Sequence, residues 1–125
     1  SISAWFIERV LGILPTEDAI GCSRVVIRPG IIGDLKWAAG KYRSIRGDIE
    51  VSWRVRHDGT YDLVAKVPVG VSATIQLPTT KNGSIRESLS TVQNRPDIKP
   101  LGYREGAAEF EVGAGEYRFQ ATIPR

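Results

Sequence analysis

The chain has 125 residues, 42% of them hydrophobic and 25% charged, and carries a formal net charge of +3. This length and balance suit one globular core and exclude a disordered tail or a fibrous repeat. Its 17 basic and 14 acidic residues are interspersed without a run of five like charges, which argues against nucleic acid as a partner; the nearest approach to a reading surface is Lys41, Arg43 and Arg46 around Tyr42.

The opening stretch, SISAWFIERVLGILP, places Ile2, Trp5, Phe6, Val10, Ile13 and Leu14 at helical spacing, and Ile7 and Leu11 widen the apolar stripe. The pattern predicts a buried α-helix over residues 1–15. Gly12 loosens its last turn and Pro15 ends it. Its start is unmarked, because the position three after Ser3 is Phe6 and no capping box forms. No stretch is long and apolar enough for a membrane span, and no targeting signal is present in the chain. Cys22 is the only cysteine, so neither an internal disulfide nor a cysteine-based zinc site is expected.

From Arg24 onward the period changes to two, and residues 16–125 read as a β domain. RVVIRP is a first strand, and DLKWAAGKY is a second with Leu35, Trp37 and Ala39 on one side. DIEVSWRVRH alternates cleanly, with Ile49, Val51, Trp53 and Val55 inward. Asp58-Gly59 signals a tight hairpin into TYDLVAKVP, whose inward set is Tyr61, Leu63, Ala65 and Val67. VSATIQLP continues with Val71, Ala73, Ile75 and Leu77. Thr79 to Pro100 reads as polar loop with at most one short strand near Ile85, and Lys81-Asn82-Gly83 as a turn. AEFEV and EYRFQATI flank Gly113-Ala114-Gly115, which reads as a closing hairpin. The fold class is therefore mainly β: an antiparallel β-sandwich of seven to eight strands preceded by one N-terminal α-helix.

Catalytic and metal constellations are not apparent. Glu109 and Glu111 lie two apart on one strand, side by side rather than opposed across a bond, so they read as a solvated outer face. His57, the only histidine, stands at a turn without a nucleophile in a recognisable setting, and the acidic residues lack the spacing of a metal site. No cofactor and no metal are expected. Trp53 reads as core, whereas Trp37, Tyr42 and Tyr103 sit near glycines or strand ends where an aromatic face can meet solvent, a neighbouring domain or a sugar ring.

Several runs taken in order, AWFIERVLGILP, VVIRPG, GDLKWAAGKYRSIRGDIEVSW, ATIQLP and EFEVGAGEYRF, together resemble the C-terminal region of bacterial α-L-rhamnosidases, a family of inverting glycoside hydrolases. The most specific parts are Trp5 with Gly12, Ile13 and Pro15, then Ile27-Arg28-Pro29, Gly33-Asp34-Leu35 with Trp37, the Gly40 to Gly47 run, and Val112-Gly113-x-Gly115-x-Tyr117-x-Phe119. Phe6-Ile7 departs from a position where the family often has Tyr, as does Arg46 before Gly47. The resemblance implies that residues 1–15 are the tail of an upstream (α/α)6 catalytic barrel and that residues 16–125 form an accessory sandwich packed on it. The general acid and base would lie upstream, so no catalytic position transfers to this chain. Trp5, Phe6, Val10 and Leu11 are then the expected barrel-packing residues, and Trp37, Tyr42 and Arg43 the candidates for interdomain or carbohydrate contact. The expected partner is the protein's own catalytic domain, with a carbohydrate-binding module for rhamnose-containing glycans as the alternative; such a bacterial protein could be cytoplasmic or exported.

Overall fold

The computed structural model describes residues 6–15, 24–30, 34–79, 85–88, 90–91 and 95–122. After a short helical piece, Phe6–Leu11, come β1 (Ile13–Pro15), β2 (Arg24–Ile27), β3 (Trp37–Ser44), β4 (Gly47–Val55), β5 (Thr60–Val67), β6 (Ser72–Pro78), β7 (Arg86–Glu87), β8 (Ser90–Thr91), β9 (Lys99–Arg104), β10 (Ala107–Val112) and β11 (Gly115–Thr122). They form a five-stranded sheet in the order β1-β2-β6-β10-β9 and a six-stranded sheet in the order β3-β4-β5-β11-β7-β8. All pairs are antiparallel except β2 with β6. Eight of the described strands have four residues or more, and these carry the expected mainly β, sandwich-like fold.

The twofold pattern decides which side chains enter the core. Ile49, Val51 and Trp53 of β4, Tyr61, Leu63, Ala65 and Val67 of β5, and Ala73, Ile75 and Leu77 of β6 are all buried, as their alternation requires. Across the two sheets Phe110 stacks on Phe119 with ring centroids 5.9 Å apart, and within the six-stranded sheet Trp53 of β4 stacks on Tyr61 of β5 at 6.0 Å. The Asp58-Gly59 hairpin forms as its residues demand: Gly59 has φ 88°, and the Thr60 amide donates to Asp58 Oδ1 at 2.9 Å.

Three expectations are corrected. The helix does not run to residue 15: it is wound as a π-helix and ends at Leu11, and Ile13–Pro15 pairs as a strand with β2. Gly12 is the cause, because it takes φ 75° and a Cβ there would lie 1.7 Å from the Arg28 carbonyl oxygen. The stretch around Gly113 is not a hairpin, since β10 and β11 belong to opposite sheets. It is an arch between them, tied by the Tyr117 hydroxyl donating to the Gly113 carbonyl at 3.1 Å, in the manner of a tyrosine corner. Finally, the segment read as loop up to Pro100 holds β7 and β8 and leads into β9, an edge strand whose six residues are all exposed and so show no alternation. The Lys81-Asn82-Gly83 turn and Cys22 lie outside the described residues.

Candidate functional site

Two features stand apart from ordinary sandwich packing: the way the leading segment is fastened, and the outer face of the six-stranded sheet. The leading segment closes one edge of the core. Val10 and Leu11 are 2% and 0% exposed, and Phe6 and Ile7 pack against the same cluster. β3 accommodates them through Gly40, where a Cβ would come within 2.6 Å of Leu11 Cδ1. The indole Nε1 of the buried Trp53 donates to the Val10 carbonyl at 2.8 Å, and the Gly30 amide reaches the same oxygen at 3.4 Å. A helix end leaves such carbonyls without internal partners, so Trp53 satisfies one while fixing the segment's direction.

This placement refines the expected contact set. Val10 and Leu11 are covered by this domain's own sheets, so they cannot also face a barrel; among the described residues of the piece, exposure is left to Arg9 and in part to Phe6 and Ile7. Trp5 lies outside the described residues. Trp37 is 61% exposed on the outer side of β3. Tyr42 is five residues on, an odd separation that turns it to the opposite face, where it packs half-buried on the core. Arg43 shares the outer face with Trp37 but lies six residues away, with its Nε 3.5 Å from the Asp48 carboxylate. Trp37, Tyr42 and Arg43 therefore do not converge on one site.

The register of the six-stranded sheet places other residues beside Trp37. Pairing across the strands gives one outer row of Trp37, Arg54, Asp62 and Gln120, a second of Ala39, Ser52, Val64 and Arg118, and a third of Lys41, Glu50, Lys66 and Glu116. Rows on one face are about 6.7 Å apart along the strands. The middle row begins with three small side chains, so it is a trough between two taller rows. It appears as two adjoining open grooves of about 550 and 570 Å³ that share Ala39, Ser52, Val64 and Arg118. Arg56 Nε is 2.6 Å from Asp62 Oδ2 and Arg118 Nη2 is 3.7 Å from Glu116 Oε1, whereas Arg54 has no acidic partner within 4 Å among the described residues. Single-strand alternation puts Trp37 on this face, but Arg54 and Arg118 join it only through a register set by three neighbouring strands.

Two carboxylates away from this face are engaged. Glu87, 1% exposed, forms an ion pair with Arg95 and accepts from the Ser88 hydroxyl at 2.7 Å and the Arg118 amide at 2.9 Å. Glu109 accepts from Gln76 Nε2 at 3.1 Å on the outer face of β10. Among the described residues no three His, Cys, Asp or Glu side chains gather as metal ligands, and no helix is long and apolar enough to cross a membrane.

Comparison with known proteins identifies the family of the chain. Residues 12–91 match the family described as bacterial alpha-L-rhamnosidase C-terminal domain. Alpha-L-rhamnosidases of Alteromonas sp. (strain LOR) and Streptomyces avermitilis are 31% and 29% identical over 112 and 119 residues, which is 90% and 95% of this chain but only 12% and 10% of theirs. The solved alpha-L-rhamnosidase of Dictyoglumus thermophilum superposes with a TM-score of 0.79 at 22% identity, covering 97% of this chain and 13% of that one, and so shares the fold. That of Streptomyces avermitilis, solved in complex with L-rhamnose, gives 0.78 at 25% identity over 95% of this chain and 10% of that one. The chain thus spans about a tenth of the relatives it matches, and it belongs to the family of bacterial alpha-L-rhamnosidase C-terminal domains.

Proposed function

We propose that this chain is the non-catalytic C-terminal sandwich of an α-L-rhamnosidase-like glycoside hydrolase, and that it stabilises the catalytic part of that enzyme through its leading segment. The observation that carries this reading is the fastening of Phe6–Leu11. Its last turn is buried in the sandwich and held by Trp53 through the Val10 carbonyl, so chain arriving from upstream enters at a fixed direction rather than through a loose linker. Glycoside hydrolysis needs two carboxyl groups flanking the bond, about 5–9.5 Å apart. Among the described residues Glu87 is buried in an ion pair, Asp62 is held by Arg56, and Glu109 and Glu111 stand side by side on one strand. The chemistry on rhamnosides is accordingly assigned to the enzyme's other domains.

The test is to truncate the longer enzyme before residue 12 and follow both melting and kcat/KM on an aryl α-L-rhamnoside. We expect Tm to fall by several degrees, or soluble yield to collapse, while any folded enzyme keeps kcat/KM within about threefold at 25 °C, a change of less than about 0.7 kcal/mol. An unchanged melting curve, or a loss of kcat/KM without loss of stability, would contradict the reading.

A further inference from the structure

The trough on the outer face of the six-stranded sheet has a shape and a charge that core packing does not explain. Its floor is Ala39, Ser52 and Val64, and its first groove, about 550 Å³, lies within the range of small-ligand clefts. It is open and crosses the strands, which suits a short chain of rings better than an enclosed small molecule. Trp37 stands at the end of the flanking row with more than half its surface in water, and a large exposed aromatic face gains from any ring with an apolar side.

The charge is lopsided. Arg54, Arg56 and Arg118 line the first groove against the single acid Asp62, whose Oδ2 is held by Arg56 and whose Oδ1 is buried away from solvent. Arg54 has no acidic partner among the described residues, and the contact of Arg118 with Glu116 is long at 3.7 Å. A neutral saccharide would meet a surplus of donors here. A carboxylate, which only accepts and can take a guanidinium at both oxygens, balances them. We propose that the trough is a binding site for a carboxylate-bearing saccharide, a uronate oligomer, with Trp37 as the ring platform, Arg54 and Arg118 as carboxylate ligands, and Ser52 and Gln120 as hydroxyl partners. This goes beyond the stabilising role and stands or falls separately from it.

The experiment is a titration of the isotope-labelled 125-residue chain with trigalacturonate, its fully methyl-esterified form and inorganic phosphate, following backbone amides and the Trp37 indole. We expect saturable shifts along Trp37, Ala39, Ser52 and Arg54 with the acid. Binding should weaken at least tenfold for the ester and decline as salt is raised through about 0.1 M, where the screening length is about 10 Å. Arg54→Gln and Trp37→Ala should each weaken binding about tenfold with melting unchanged, since both side chains are exposed. Arg43→Gln, on the same face outside the grooves, should leave binding unaltered. Silence up to about 10 mM, weaker than any useful site, would overturn the proposal and leave the trough to another occupant such as the enzyme's own catalytic part. Equal affinity for the ester, equal shifts from phosphate alone, or an equal loss in Arg43→Gln would overturn it as well, reducing the face to nonspecific ring or anion contact.

Discussion

At Gly12 the backbone holds φ 75° directly beneath the Arg28 carbonyl, where an added Cβ would overlap the oxygen at 1.7 Å. Gly12→Ala should therefore separate β1 from β2 and destabilise the chain by more than about 3 kcal/mol, combining left-handed strain with a backbone clash; urea unfolding measures it, and a loss below about 1 kcal/mol would show that the edge simply shifts. Tyr61 presents the opposite case. Its hydroxyl is buried and has no hydrogen-bond partner among the described residues, and burial pushes its pKa up. Tyr61→Phe should thus be neutral or stabilising by about 1 kcal/mol. Because the folded phenol holds its proton more tightly than the unfolded one, its contribution is complete below the unfolded value of about 10 and is lost as pH rises from there. The wild-type chain should lose stability above about pH 10 and the Phe variant should lose less, a difference that pH-dependent melting reads directly. The buried role of Tyr61 was legible in its alternation with Asp62. The missing partner was not, because it depends on what the facing sheet offers.

Among the elements, β4, β5 and β6 were readable because each buries one face and exposes the other, so period two appears in the letters. β9 was not, since an edge strand exposed at all six positions obeys no such alternation, and Gly113-Ala114-Gly115 looked like a hairpin because turn residues report a reversal but not which sheet receives the next strand. The short β7 was glimpsed only through Ile85, yet it carries the best-held polar group. Glu87 ties β7 to β11 through the Arg118 amide and to the loop before β9 through Arg95, which in turn grips Asp97 with two bonds of 3.0 and 2.7 Å. Glu87→Ala would leave the Arg118 amide unpartnered and Arg95 with Asp97 alone, and we expect a loss of about 2 kcal/mol, with Glu87→Gln losing about half as much. Denaturant midpoints with an unchanged slope would bear this out; a loss under about 0.5 kcal/mol would mean the segment is held by other contacts. The hydrogen bond from Arg95 keeps the Asp97 carboxyl below its usual range. Its support is therefore present above the ordinary carboxylate value of about 4 and disappears as pH falls below it.

For the whole molecule, the family could be read from the order of short motifs. The sequence predicts a helix that packs on a neighbouring barrel; in the structure Val10 and Leu11 of that piece are buried in this domain and Trp53 holds the Val10 carbonyl. The trough was equally hidden, because Trp37, Arg54 and Arg118 come from three strands and line one groove only through their register. The proposed stabilising role has a thermodynamic signature: a sandwich that supports a catalytic part should unfold with it. Scanning calorimetry of the full-length enzyme, with and without Trp53→Phe, tests this most directly, since that change removes the donor to the Val10 carbonyl at the joint. We expect one coupled transition that the substitution lowers as a whole. Two independent transitions, with only the smaller one moving, would contradict a stabilising role.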